Sequence, residues 1–516
     1  MGQWMNGYLE RLAANRQENL EAGGQAAIAL QHELGKLTAR ERIELLADPG
    51  SFEEMGSLVR DFKVPGDPDT GPSPADGVVM GMIKIKGRRA MVYSTDFTVM
   101  SGSFGDQGIW KIAELVEMAG QEQMPVIGIF DSAGSRLSMQ GGKIGQHGLA
   151  RLLRNYCLYS GVIPQIALVL GPCTGPVAKV PVLSDFLIMN EKTGFLWLGG
   201  AIESEDAGSA EFHMTRSGQC DLVAENDEEA IELCKRLFEF MPSNCWERPA
   251  DVEPSDDPER REEALLDVMP EQVRFTYDIH EIIDLIVDDG EFFELQEDFA
   301  LNMVVGFARF DGIVTGIAAS NPDELSGIME PDSSDKYDRF IMFLDCFNIP
   351  LLTMSDTTAF PPGDRWERMG VIRHGAKNLH GYSNLTNPKV TLVLRRSYGG
   401  SNIVMGCSKM GPDFIFGWPT VEFAPTGPEM MVQAVFNKEL EKAKEDGNYE
   451  ELFERYVSIL REQFSVMNMG KIYTHWYTVH EVIDPRDSRS RIIKAIRASL
   501  NKQEEMPDKK RHIKPA

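Results

Sequence analysis

A chain of 516 residues exceeds what one hydrophobic core supports, and two large halves fit that length best. With 42 % hydrophobic and 25 % charged residues it has the composition of a soluble globular enzyme, and no apolar run approaches membrane-spanning length. A formal net charge of −27 argues against a nucleic-acid partner, because phosphate binding needs a basic surface.

Residues 5–48 are predicted helical, with Leu9, Leu12, Ala26, Ile28 and Leu30 separated by charged positions. The opening stretch MGQWMNGYLERLAANRQENLEAGG has no apolar core segment, so it reads as neither a signal nor a transit peptide, and a cytoplasmic location is expected. KLTARERIELLADPGSF (36–52) closes the region with a Pro-Gly turn at 49–50, and a Pro/Gly/Asp-rich linker occupies 64–76. Seven cysteines without a C-x-x-C pair exclude a zinc-ribbon spacing and a disulfide framework, and predict buried thiols.

From residue 76 onward the chain repeats itself. DGVVMGMIKIKGRRAMVYSTDFTVMSGS (76–103) reads as strand, Lys-Gly turn and strand, and MVVGFARFDGIVTGIAASNPDELSG (303–327) repeats the plan with Asp-Gly. MPVIGIFD (124–131) matches IPLLTMSD (349–356), where Pro125 and Asp131 meet Pro350 and Asp356. IPQIALVLGPCTGPVA (163–178) lies over NPKVTLVLRRSYGGSN (387–402), and SDFLIMN (184–190) over PDFIFGW (412–418). Four matched blocks in one order predict two homologous α/β domains, 1–265 and 266–516, joined by the acidic Pro-bearing segment near 247–272. Helical stretches at 428–465 and 488–503 complete the second half, and the tail DKKRHIKPA reads as a solvated terminus.

A polar loop follows the first strand of each pair, DSAGSRLSMQGGKIGQHG (131–148) in one half and DTTAFPPGDRWERMGVIRHGAK (356–377) in the other. Its glycines, Gly134 among them, allow close backbone approach to a ligand, and Arg136 and Lys143 suit phosphates. The pattern is not a P-loop, since Ile144 follows Lys143. No G-x-S-x-G, no H-E-x-x-H and no spaced ligand set is present, so serine hydrolysis lacks support and no metal is expected. Arg373 and His374 fall on a predicted helix in structural roles. What remains is chemistry done by backbone donors, and there the two repeats disagree: Gly175 falls on Gly399, but Pro176, which has no N–H, falls on Gly400.

The segments KLTARERIELLADPGSF, STDFTVMSGSFG (94–105), D-S-x-G-x-R at 131–136, SGVIPQIALVLGPCTG (160–175), VGFARFDG (305–312), IRHGAK (372–377), SYGGSN (397–402) and EVIDPRDSR (481–489) span nearly the whole chain. In them the chain resembles the carboxyltransferase subunits of biotin-dependent acyl-CoA carboxylases and the related α subunits of biotin-dependent acyl-CoA decarboxylases. The resemblance implies two crotonase-like domains, the N-terminal one holding acyl-CoA and the C-terminal one of a neighbouring subunit holding biotin. Active sites are then expected at a dimer interface within a hexamer of two stacked trimers. Biotin would arrive on a partner, either a biotin carboxyl carrier protein or biotin carboxylase subunit, or membrane decarboxylase subunits. Two oxyanion holes are implied, one for the thioester oxygen of the acyl-CoA as it becomes an enolate and one for the ureido oxygen of biotin. Carried over residue by residue, the first hole is Gly175 with residue 176, and the second is Gly400 with Ser401. Ser132, Ala133, Gly134, Arg136, Pro176 and Lys179 fall in the acyl-CoA region, Asp356 and Gly399 in the biotin region.

The first hole departs from the family run G-P-C-A-G-G-A-V-Y: this chain has GPCTGPVAK, with Pro176 for Gly and Lys179 for Tyr. The serine loop reads DSAGSR where D-S-G-G-A-R is usual. Losing one oxyanion donor costs about 3 kcal/mol, a factor of roughly 10² to 10³ in rate. Three explanations compete. Val177 or a water supplies the donor; or Lys179 compensates electrostatically or grips the distal carboxylate of a substrate such as glutaconyl-CoA; or the chain is a non-catalytic paralogue, or handles CoA esters without biotin. Against the second stands a plain reading of Lys179 as a salt-bridge residue. A crotonase-like isomerase or hydratase ranks last, for want of a carboxylate or His near the thioester.

Overall fold

The computed structural model describes residues 2–516 apart from 62–72, 137–140, 201–203, 205, 274, 408, 469–478, 511–512 and 516. Two compact units are present, Met1–Arg248 and Pro249–Ala516, and the division falls inside the acidic segment 247–272. Among the described residues no helix is long and apolar enough to cross a membrane.

The N-terminal unit is built on eight strands: β1 (Glu53–Met55), β2 (Val78–Ile85), β3 (Arg88–Thr95), β4 (Val126–Ser132), β5 (Gln165–Thr174), β6 (Phe186–Asn190), β7 (Phe195–Trp197) and β8 (Leu222–Ala224). Their order is β1-β2-β3-β4-β5-β6-β8, with β7 paired to the end of β5. β1 to β3 are antiparallel, and β3 onward the pairing is parallel. The C-terminal unit repeats this with β9 (Phe292–Leu295), β10 (Met303–Phe310), β11 (Ile313–Ser320), β12 (Leu351–Thr357), β13 (Lys389–Tyr398), β14 (Phe414–Gly417), β15 (Glu422–Ala424) and β16 (Glu481–Val482), in the order β16-β14-β13-β12-β11-β10-β9 with β15 on β13. Strand for strand the topologies correspond, as the sequence repeat predicts.

The hairpins form where expected. Lys86 and Gly87 take positive φ of 49° and 82°, and Asp311 and Gly312 take 55° and 77°, the paired left-handed residues a tight two-residue turn requires. That turn fixes the register Val78↔Thr95 in one unit and Met303↔Ser320 in the other. The inner strands are covered on both faces, and all of β4 and β12 is buried, because helices cover the sheet. Ile109, Ile112 and Val116 of the helix Asp106–Gln121, with Phe130 and Val169 of the strands, belong to one core cluster. Helices Pro428–Val435, Asn437–Asp446 and Tyr449–Phe464 form a smaller core on Val432, Leu440 and Val457, where a helical stretch is predicted.

Three expectations need correction or restriction. The loop predicted over 131–148 ends earlier, since Gly141–Tyr159 is a helix; residues 137–140 and the side chain of Lys143 lie outside the described set. The linker 64–76 is described only from residue 73, where Pro74–Gly77 makes a helical turn with Ala75 and Asp76 at φ 52° and 50°. All seven cysteines are free, but Cys157 is exposed and only Cys173, Cys220 and Cys234 are fully buried.

The left-handed turn at 75–77 is held by a residue that sequence reading passed over. Lys111 Nζ donates to the carbonyls of Ala75 (2.8 Å) and Val78 (2.7 Å). Lys336, its counterpart in the repeat, donates to Gln296 (2.8 Å) and Phe299 (2.7 Å). Burial lowers the Lys111 pKa to about 8.

Candidate functional site

In a sheet with parallel inner strands, ligand-facing loops gather at the carboxyl ends. In the N-terminal unit those ends belong to β3, β4 and β5, and they bring three motif segments together. Ser101 O accepts from Ala133 N (3.0 Å), Gly134 O from Phe104 N (2.8 Å), and Ala133 O from Thr174 Oγ1 (2.9 Å). Gly134, at φ 101°, stands so close to the next loop that a Cβ there would lie 2.8 Å from Thr174 O. Ser132 is fully buried and its Oγ accepts from Gly134 N (3.1 Å), so its hydroxyl shapes the loop.

The guanidinium of Arg136 is engaged within the unit. Its Nε donates to Ser103 Oγ (3.1 Å), Nη2 to Ser103 O (2.9 Å), and Nη1 pairs with Asp61 (2.9 Å) and Asp76 (2.5 Å). With 6 % of its side chain exposed, it braces the loop against the turn at 75–77. Burial pushes the Asp76 carboxyl above its usual range, against the opposing pull of Arg136 and Gly108 N–H.

Beneath these loops lies a buried charge cluster that the sequence did not reveal. Asp131, at zero exposure, receives Lys36 (3.0 Å), Arg42 (3.1 Å) and Gln31 (2.8 Å). Arg42 also reaches Asp227 (2.8 Å) and Leu170 O (3.2 Å). Gly171 leaves room for the carboxylate, since a Cβ would sit 1.9 Å from Asp131 Oδ1.

After β5 the chain turns at Gly175, φ 77°, and runs as a tight helical turn Gly175–Ala178 into the helix Lys179–Leu183. N–H groups in a first turn have no acceptor within the helix, which is why such a turn can serve an oxyanion. Pro176 removes one of them. Pro176 and Lys179 are exposed while Val177, Ala178 and Val180 are buried; the Lys179 N–H caps the turn on Pro176 O, and its ammonium has no ion pair or hydrogen bond among the described residues.

In the C-terminal unit β13 ends in the same way. Gly399 takes φ 58°, and Gly399–Val404 is a short helix with Gly400 exposed and Ser401 buried. The hydroxyl of Ser401 donates to Tyr398 O (2.9 Å), leaving its role to the backbone. Phe360 packs beside the turn: a Cβ on Gly400 would lie 3.3 Å from its ring, and one on Gly375 would lie 2.9 Å away. Its signal in sequence was its place in the polar loop before the pair Pro361-Pro362.

Asp356 does not line this surface. It has zero exposure, and its oxygens pair with Arg395 Nε (3.0 Å) and Arg396 Nε (2.7 Å) as an internal brace. Arg395 occupies the place of Gly171, so one half places on the strand a cation that the other half brings from distant helices. Arg373 and His374 lie on the helix Val371–Ser383, where His374 pairs with Asp335 (2.8 Å).

The family described as carboxyl transferase domain matches residues 30–513. The chain is 37 % identical to a propionyl-CoA carboxylase carboxyltransferase subunit of Haloferax mediterranei, over 98 % of each chain. It is 34 % identical to the methylmalonyl-CoA decarboxylase subunit alpha of Propionigenium modestum, over 97 % of this chain and 98 % of that one. A crystal structure of transcarboxylase 12S, described as a hexamer assembly with methylmalonyl-coenzyme A and methylmalonic acid bound, matches with a TM-score of 0.92 at 36 % identity, over 99 % of this chain and 98 % of that one. The two homologous units are crotonase-like, as in that structure. The fold, the repeat and these relatives agree: the chain belongs to the carboxyl transferase domain family and is an enzyme component of the kind found in acyl-CoA carboxylases and decarboxylases.

Proposed function

We propose that this chain moves a carboxyl group between biotin on a partner carrier protein and the α or vinylogous carbon of an acyl-CoA, by way of the acyl-CoA enolate. The observation that carries the reading is the pair of left-handed glycine turns, Gly175 and Gly399, at equivalent strand ends of a carboxyl transferase family member. An enolate concentrates negative charge on the thioester oxygen, and fixed backbone N–H groups stabilise that charge without reorganising. The N-terminal unit is assigned the acyl-CoA, the C-terminal unit biotin.

The residues around Gly400 fit biotin. The glycine surface and the Phe360 ring beside it make a floor and a wall for a flat uncharged ring. Gly400 and Ser401 would hold the ureido oxygen through backbone N–H groups. When bound, biotin supplies the carboxyl group and a ring nitrogen able to act as base, so the chain itself needs no acid/base dyad.

The relatives are named for propionyl-CoA and methylmalonyl-CoA, which makes that pair the first substrate to test. Use as a decarboxylase α subunit on a dicarboxylic acyl-CoA such as glutaconyl-CoA is the alternative, motivated by the exposed Lys179. Pro176 keeps a third reading open, a scaffold paralogue without catalysis. We expect a cytoplasmic homo-hexamer working with a biotin-bearing subunit. The test is to purify the protein from its source, probe co-purifying chains with labelled avidin, and assay carboxyl exchange between free biotin and a panel of acyl-CoAs. Absence of both a biotinylated partner and exchange would refute the proposal.

A further inference from the structure

Two of the differences between the two turns are complementary. Where the C-terminal unit has Gly400, the N-terminal unit has Pro176 and one backbone donor fewer. Three residues on, the C-terminal unit has Ile403, 41 % exposed, and the N-terminal unit has Lys179. The half that keeps both donors carries an uncharged side chain, and the half that lost one carries a cation.

Local geometry brings the two changes together. The turn Gly175–Ala178 passes directly into the helix Lys179–Leu183. Positions 176, 179 and 182 are exposed while 177, 178, 180 and 181 are buried, so Pro176 and Lys179 share one face at a spacing of three. Side chains so spaced on a helical turn are neighbours, with Cβ atoms about 5–6 Å apart. A four-carbon stem then lets the ammonium reach the space over Gly175 and Pro176.

Among the described residues the ammonium is also uncommitted. Lys36, Arg42, Lys111 and Arg136 of the same unit all hold buried carboxylates or carbonyls. Lys179 holds none among the described residues, so the reading of it as a salt-bridge residue has no partner to name.

Resting on the function proposed above, we infer that Lys179 is a catalytic residue that replaces the oxyanion donor withheld by Pro176, stabilising the acyl-CoA enolate through an ammonium beside the remaining backbone N–H. The lysine acts on charge that develops at the thioester oxygen, and it neither gives nor takes a proton. It therefore affects the enolate more than the neutral ester.

A double-mutant cycle tests this, together with binding measurements that need no turnover. Lys179→Met should lower carboxyl transfer by about 10²-fold, the scale of one lost oxyanion donor. The variant should bind a nitronate analogue of propionyl-CoA, which carries a fixed negative charge in place of the enolate, about tenfold to a hundredfold more weakly by calorimetry. Its affinity for neutral propionyl-CoA should stay within about twofold. Pro176→Gly added to Lys179→Met should recover at least about tenfold in transfer, because the missing N–H returns.

Nitronate affinity unchanged in Lys179→Met, or no rescue by Pro176→Gly, overturns the inference while wild-type transfer leaves the proposed function standing. A loss confined to dicarboxylic acyl-CoAs also overturns it, in favour of a grip on the distal carboxylate. Wild-type protein that neither transfers carboxyl nor prefers the nitronate over the neutral ester overturns both.

Discussion

Gly400→Pro removes one N–H group and leaves the turn in place. Proline is compatible with the first turn of a helix, where its missing donor breaks no helical bond. The chain itself supplies the precedent: in the N-terminal unit Gly175, φ 77°, precedes Pro176 in the same turn, and Gly399, φ 58°, would precede the new proline. The steric cost is small, because a Cβ at 400 lies 3.3 Å and 3.5 Å from ring carbons of Phe360, and the ring needs to yield by a few tenths of an ångström. Gly400→Ala makes that contact and keeps the N–H, so the pair separates space from hydrogen bonding. If the N–H is an oxyanion donor, Gly400→Pro loses about 3 kcal/mol of transition-state stabilisation, roughly 10² to 10³ in kcat. Gly400→Ala should lose less than about tenfold, the effect of a displaced ring. Carboxyl exchange gives kcat, and thermal unfolding confirms that both variants fold with Tm within about 4 °C of wild type. Gly400→Pro activity within threefold of Gly400→Ala would refute the assignment of the second hole.

Three further outcomes concern the framework. Arg42→Met leaves Asp131 and Asp227 buried without their shared cation and should cost about 3–5 kcal/mol in denaturant unfolding; an unchanged midpoint would contradict the cluster's structural role. Asp356→Asn strips the carboxylate from Arg395 and Arg396, so it should lower stability by about 3 kcal/mol and leave the KM for the biotin donor within twofold, whereas a large KM change at full stability would restore a direct contact. The hydrogen bond to Glu294, aided by Asp278 against the opposing effect of burial, raises the His280 pKa to about 9. Since the unfolded value is near 6.5, its contribution is complete below that pH and is lost as pH rises through about 9. Screening at this partly exposed site holds it to about 1 kcal/mol, so His280→Gln should remove a decline of that size in stability between pH 6.5 and 9, and superimposable pH curves would refute the reading.

The repeat was legible because strands and turns are local. The Lys86-Gly87 and Asp311-Gly312 hairpins, the matched Pro125 and Pro350, and the glycines that end β5 and β13 are each specified by a few adjacent residues, and the structure places them at equivalent points. Contacts between distant segments were not legible. Asp131 takes its cations from positions 95 and 89 residues away, and no periodicity marks Lys36 or Arg42 as its partners. No spacing in the sequence pairs Arg136 with Asp76, which the turn at 75–77 brings beside its guanidinium.

The sequence by itself determined the duplicated α/β plan and the disagreement between Pro176 and Gly400, since both follow from local patterns and from which residues own an N–H. Only the tertiary structure decided which polar groups face outward. Arg136 and Asp356 form internal braces, and the Lys179 ammonium has no partner among the described residues on the face it shares with Pro176, because a charge taken from water must find its counter-charge in three dimensions, and chain distance says nothing about where that partner lies.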